Sequence, residues 1–134
     1  MEKMRKAAPV VLRIGMSLVF LWFGWQQLSD TTLWAGIIPP FYTNLIGLSA
    51  TTFVLINAWF EIIFGGLLLL GIFSRTTALL LALHMLHITF TVGYNGVGVR
   101  DFGLAMGTIS VFLYGPDTWC LGKFFYKNKY THDA

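Results

Sequence analysis

Apolar residues run almost unbroken through four stretches of the chain, at about 9–28, 51–73, 76–92 and 102–119. Each is close to the length of about 20 residues that an α-helix needs to cross a hydrocarbon core of about 30 Å. The pattern therefore predicts four membrane-spanning helices. Pro9 stands at the start of the first, where its missing N–H is not required. Only Ser74 and Arg75 separate the second and third stretches, which makes those helices antiparallel neighbours. The 29–50 segment holds Ile37-Ile38-Pro39-Pro40-Phe41-Tyr42. It is too apolar for a free polar loop and too broken by proline for a span. It is expected to lie on the membrane or to fold over the mouth of the bundle.

Composition agrees with this pattern. Hydrophobic residues make up 56% of the 134-residue chain and charged residues 11%, well below the roughly 25% that a soluble domain carries. Nine Lys and Arg stand against six acids, too dispersed for a phosphate-binding stripe, so nucleic acid is not an expected partner. With Cys120 as the single cysteine, neither an intrachain disulfide nor a thiolate zinc cage can form. The basic start from Met1 to Lys6 followed by an apolar run resembles a signal peptide. That run is longer than the usual apolar region of about 7–15 residues and ends in Trp25-Gln26-Gln27 without a small-residue cleavage site, so a retained span is expected.

Charge placement predicts the orientation. Lys3, Arg5 and Lys6 precede the first span, Arg75 lies between the second and third, and Lys123, Lys127 and Lys129 follow the fourth. The other side carries only Arg100, beside Asp101. Cytoplasmic loops retain Lys and Arg, which puts both termini in the cytoplasm of a multi-pass protein of the plasma membrane. Trp22, Trp25, Trp34, Tyr42, Tyr94, Tyr114 and Trp119 fall near span ends or in connections, the ordinary positions of interfacial anchors. No repeat or second domain is visible, so residues 1–134 read as one all-α, four-helix integral membrane bundle.

Ionisable residues inside a span are costly and tend to face the bundle interior. Arg13, Ser17, Gly24 and Gln27 share one stripe of the first span, and Asn57, Glu61 and Gly65 one stripe of the second. His84, His87 and Thr91 form a stripe on the third, and Gly103, Gly107, Ser110 and Tyr114 on the fourth. The glycines are read as packing positions. Glu61 lies near mid-span at the depth of His84 and His87, where a carboxylate and an imidazole can share and relay a proton. The bland alternative is a polar network that only orients two helices. Arg13 is read as snorkelling to the interface, with an inward contact to Glu61 or to a ligand as the alternative. Arg100-Asp101 reads as an exposed ion pair of little energetic weight. The candidate ligand-binding or proton-relay residues are thus Arg13, Asn57, Glu61, His84 and His87. No nucleophilic triad or phosphate loop can be assembled, and two histidines on one helix face cannot supply opposite axial ligands, so neither haem nor metal is expected.

The run from Phe60-Glu61-Ile62-Ile63-Phe64-Gly65-Gly66 to Gly71-Ile72-Phe73-Ser74-Arg75-Thr76 resembles the second-span signature of the DoxX family. Arg13-Ile14-Gly15 leading to Phe23-Gly24-Trp25 is similar to that family's opening helix, and Gly115-Pro116-Asp117 with Trp119 to its closing turn. The resemblance covers nearly the whole chain. It implies a four-helix prokaryotic membrane protein, in some members tied to quinone-linked sulfur oxidation and in others to redox or thiol-stress complexes. Arg13, Glu61 and Arg75 match family positions, Gln27 stands where Lys is common, and Asp117 where Gly is common.

The leading expectation is therefore a quinone-interacting or accessory subunit of a membrane redox complex, with quinone as its cofactor. Having no electron carrier of its own, the chain would work beside redox-enzyme subunits, and whether it is itself an enzyme stays open at this stage. Two other classes compete. One is a small-solute or proton pathway, for which a homo-oligomer would supply the missing symmetry. The other is a non-catalytic assembly factor docking partners through Lys123-Phe124-Phe125-Tyr126-Lys127.

Overall fold

A computed structural model describes residues 1–124, and all its regular elements are helices: α1 (Glu2–Ser29), α2 (Thr31–Ala35), α3 (Pro40–Ile46), α4 (Ala50–Leu70), α5 (Ser74–Val92) and α6 (Gly96–Tyr114). The four long ones, α1, α4, α5 and α6, are long and apolar enough to cross a membrane. The all-α, four-span expectation holds. These helices pack most extensively as two pairs, α1 with α4 and α5 with α6, and contacts of α4 with α5 and of α1 with α6 close the ring. The outward surface is apolar: Leu18, Trp22, Ile56, Trp59, Ile63, Leu83 and Phe90 are all exposed. In lipid these side chains need no polar cover, and the backbone groups in the interior of each span are satisfied within its own helix.

Helix boundaries follow local chemistry more closely than they follow apolarity. The second span ends at Leu70, not at 73, because Gly71 turns the chain into the left-handed region at φ +71° and its N–H caps the carbonyls of Leu67 and Leu68. Ser74 and Arg75 open α5 instead of linking the two helices, and the link is Gly71-Ile72-Phe73. The fourth span runs over Gly96–Tyr114 and not over 102–119. Asn95 Oδ1 accepts from the amides of Val97 and Gly98 at its start, while Gly115 at φ +81° and Pro116 stop it. At the other end of the chain α1 begins at Glu2, ahead of Pro9, with an exposed Lys6–Glu2 pair on its first turns.

The buried face of α1 is Val10, Arg13, Ser17, Phe20, Gly24 and Gln27, which contains the whole expected stripe. On α4 the buried face includes Glu61 and Gly65. Gly24 lets these two helices meet: a Cβ there would stand 2.7 Å from Ile62 Cγ1 and 2.9 Å from the Ala58 carbonyl oxygen. The fourth-span stripe is corrected. The buried residues of α6 are Gly98, Asp101, Ala105, Thr108 and Val111, whereas Gly103, Ser110 and Tyr114 are exposed. Around Phe20, Leu68, Ala78, Leu81, Met85, Ala105 and Val111 the four spans share one core.

The ends of the ring differ. At one end the turn after α6 docks on the α4–α5 link, with Leu121 N–H donating to the Leu70 carbonyl and Gly122 N–H to that of Gly71. Cys120 packs against Gly71 there. At the other end α2 and α3 fold over the mouth, one of the two placements expected for the 29–50 segment. Phe125, Tyr126, Lys127 and Lys129, on which the tail-docking reading depends, lie outside the described residues.

Candidate functional site

Where α2 and α3 cover the ring, the helices line a partly open cavity of about 490 Å³. Its walls are largely apolar and aromatic, with Phe23 from α1, Phe53 from α4, Ile88 from α5, and Trp34, Ile38 and Tyr42 from the covering segment. Trp34 and Tyr42, expected as interfacial anchors, are thus wall residues, and the Tyr42 hydroxyl shares a hydrogen bond with Thr91 of α5. This contact ties the cover to the bundle. Trp22, Trp25, Tyr94, Tyr114 and Trp119 stay exposed, as anchors would.

One polar cluster of the cavity centres on Glu61, which is 3% exposed. Gln27 Nε2 donates to Glu61 Oε2 at 2.8 Å. Asn57 Nδ2 donates to Gln27 Oε1 at 2.7 Å and to Glu61 Oε1 at 3.3 Å. His84 Nε2 stands 3.3 Å from the same Oε1. Helical spacing produces this cluster: Asn57 and Glu61 are one turn apart on α4, and Gln27 lies on the buried stripe of α1 brought close by Gly24. The two histidines part company. His84 reaches Glu61 from outside the cavity wall, half-buried against the Phe60 ring, and His87 lines the cavity with its ring edge-on to Tyr42. Among the described residues no set of three His, Cys, Asp or Glu side chains is grouped for a metal ion.

Arg13 points inward, as the alternative reading had it, but in a different place. It neither snorkels nor meets Glu61. At 1% exposure it is locked near the opposite end of the ring, with Nε donating to Asp117 Oδ2 at 2.6 Å and Nη2 to Asp117 Oδ1 at 3.4 Å. Its Nη1 donates to the carbonyls of Leu68, at 2.8 Å, and Leu69, which closes the last turn of α4. Burial pushes the Asp117 carboxyl up, but the hydrogen bond from Arg13, the Trp119 amide and the guanidinium charge outweigh it and hold the group below the usual carboxylate range.

The Arg100-Asp101 pair also differs from its reading as exposed. Arg100 is half exposed and its guanidinium lies 5.1 Å from the centre of the Phe23 ring, but Asp101 is 2% exposed and lines the cavity. Sequence reasoning therefore missed Asp101 as a cavity residue and left Gln27 without a role. For Gln27 the signal was present in its stripe position. For Asp101 the signal is a helix face two residues removed from the glycine pattern that drew the assignment.

No curated protein and no solved structure matches this chain. A family model described as DoxX matches residues 8–94, which carry the first three spans and the whole Gln27–Asn57–Glu61–His84 cluster. The closing turn of Gly115, Pro116 and Asp117 lies beyond that match. With well over half its length matched, and with four helices fit to span a membrane, the chain belongs to the DoxX family of membrane proteins.

Proposed function

We propose that this protein is a quinone-binding subunit of a membrane redox complex, seated in the plasma membrane with both termini cytoplasmic and its cavity toward the other face. The observation that carries the reading is an apolar, aromatic-walled cavity floored by one hydrogen-bonded carboxylate cluster, Gln27–Asn57–Glu61. A volume of about 490 Å³ suits a small-molecule head group. Such a ring needs few polar contacts, and its isoprenoid tail needs apolar wall. In this reading His87, an exposed residue that lines the cavity and whose ring nitrogens have no hydrogen-bond partner among the described residues, holds an oxygen of the ring. When bound, quinone supplies the electron-accepting chemistry. This chain's own part is to hold the head group, exclude water, and keep a proton site at Glu61 Oε1 within reach of His84 Nε2. Electrons come from partner redox subunits.

Purification from native membranes tests this by extracting bound lipid and identifying co-purifying subunits. Quinone is expected with the wild type and with Ile63→Trp on the lipid face, and lost in Ile88→Trp, which fills the cavity. Quinone absent from the wild type, or retained by Ile88→Trp, overturns the proposal. Proton or solute flux in liposomes without bound quinone would instead support the pathway reading.

A further inference from the structure

We infer, resting on the quinone reading above, that Arg100 and Trp34 form a second polar contact in the cavity, a pair of N–H donors that hold one carbonyl oxygen of the ligand while Asp101 positions Arg100. Both donors line the cavity, in a wall that is otherwise largely apolar and aromatic.

An arginine near the end of a span ordinarily stretches its guanidinium toward water. Arg100 is half exposed, yet it folds back. Consecutive residues of a helix do not face each other, and Asp101 points inward at 2% exposure. Arg100 has to turn toward the bundle to meet it: Nε donates to Asp101 Oδ1 at 2.8 Å, and Nη2 stands 2.8 Å from the same oxygen. The turned guanidinium lies 5.1 Å from the centre of the Phe23 ring of α1. One edge of the group is thus spent on a single oxygen. A guanidinium carries five N–H groups, no acceptor, and a charge it does not lose. About three of those donors remain without a partner among the described residues. Trp34 meets the same Phe23 ring edge-on at 6.2 Å. Its indole N–H also has no partner among the described residues, and since no enclosed polar side-chain atom there lacks one, it reaches open space.

Two unspent donor groups therefore stand beside one aromatic ring of the wall. Neither can accept a hydrogen bond, so what they hold is an acceptor. A carbonyl oxygen has two lone pairs and takes a hydrogen bond from each of two donors. The bond from the guanidinium is charge-assisted, about twice as strong as a neutral one, and the surrounding hydrocarbon strengthens it further. His87 holds one ring oxygen in the reading above, and Arg100 with Trp34 takes the other.

Infrared difference spectroscopy of the purified full chain in detergent tests the inference, with decylubiquinone isotopically labelled at one ring carbonyl or the other as the probe. A hydrogen bond lowers a carbonyl stretch, so one of the two bands should fall on binding to the wild type and return toward its free value in Arg100→Met. Affinity should drop about tenfold or more in that variant, the effect of one bond to a charged donor. Trp34→Phe keeps a ring and removes the N–H, and should cost severalfold with the same band moving part of the way. Asp101→Ala, which releases the guanidinium, should move the band as Arg100→Met does, whereas Asp101→Asn, which keeps an oxygen for Arg100, should restore it. Should Arg100→Met fail to fold, Trp34→Phe and the two Asp101 variants decide the matter. Binding that Ile88→Trp abolishes, but with neither band lowered in the wild type or with a lowered band unmoved in all these variants, overturns the inference and leaves the quinone site standing. An affinity loss in Arg100→Met with the band in place overturns it too, and makes the role of Arg100 purely structural. If the probe does not bind the wild type, the quinone reading itself fails.

Discussion

Replacing Asp117 with Ala would strip the counter-ion from a guanidinium that is 1% exposed. In the intact protein Arg13 makes two hydrogen bonds to that carboxylate, at 2.6 and 3.4 Å, and Nη1 holds the Leu68 and Leu69 carbonyls. The Trp119 amide, 2.8 Å from Asp117 Oδ1, would lose its acceptor as well. Removing one partner of a buried pair costs about 3–5 kcal/mol, since the remaining charge stays desolvated, and this exceeds what the pair contributes over an apolar substitute. Asp117→Ala should therefore unfold far more readily than wild type, whereas the double variant Arg13→Met with Asp117→Leu should recover most of the loss. Reversible unfolding in mixed micelles, followed by circular dichroism, reads both. A single variant within about 0.5 kcal/mol of wild type, the range of ordinary surface substitutions, would refute the reasoning and show that Arg13 finds water without its partner.

Four further outcomes are expected. Gly24→Ala should destabilise by about 1–3 kcal/mol, the usual cost of overpacking, because its Cβ would lie 2.9 Å from the Ala58 carbonyl oxygen. Gly103→Ala, with no atom within 4 Å of the new carbon, should unfold no more readily than wild type on the same thermal scan. Stability should also fall in acid through Asp117, whose carboxyl is held below its ordinary range in the folded state. That contribution is complete above the unfolded value of about 3.9 and is lost as pH drops through the lower folded one, so the gap between wild type and Asp117→Asn should shrink on acidification. Cys120, at 1% exposure, should stay silent to thiol reagents, so introduced single cysteines report topology. With cytoplasmic termini, Tyr94→Cys should react with an impermeant maleimide on intact cells and Glu2→Cys only after permeabilisation; the reverse pattern would invert the bundle.

Four spans, a covering role as one of two placements for the 29–50 segment, and a meeting of Glu61 with one of the two histidines were legible in the sequence. They depend on periodicity and depth, which a chain in lipid expresses directly. What was hidden depends on contacts between distant residues or on turn chemistry. Arg13 and Asp117 are 104 positions apart, and neither helix periodicity nor charge counting joins an arginine inside one span to an acid after another. The fourth span was displaced because apolar runs do not register the Asn95 cap or the left-handed Gly115. Gly103 and Gly107 looked like one packing stripe; Gly107 does pack, since a Cβ there would lie 2.9 Å from Met16 Sδ, whereas Gly103 has nothing within 4 Å, and lipid tolerates such an exposed glycine. The interior position of α6 went instead to Asp101, an acid whose neighbour Arg100 made it look solvated.

Photolabelling with an azido-quinone in membranes, followed by peptide mapping, tests the central claim most directly. Adducts are expected on cavity-wall residues such as Phe53, Ile88 and Trp34, suppressed by excess unlabelled quinone. Adducts confined to the lipid-facing surface around Trp59, Ile63 and Phe90, insensitive to competition, would contradict it.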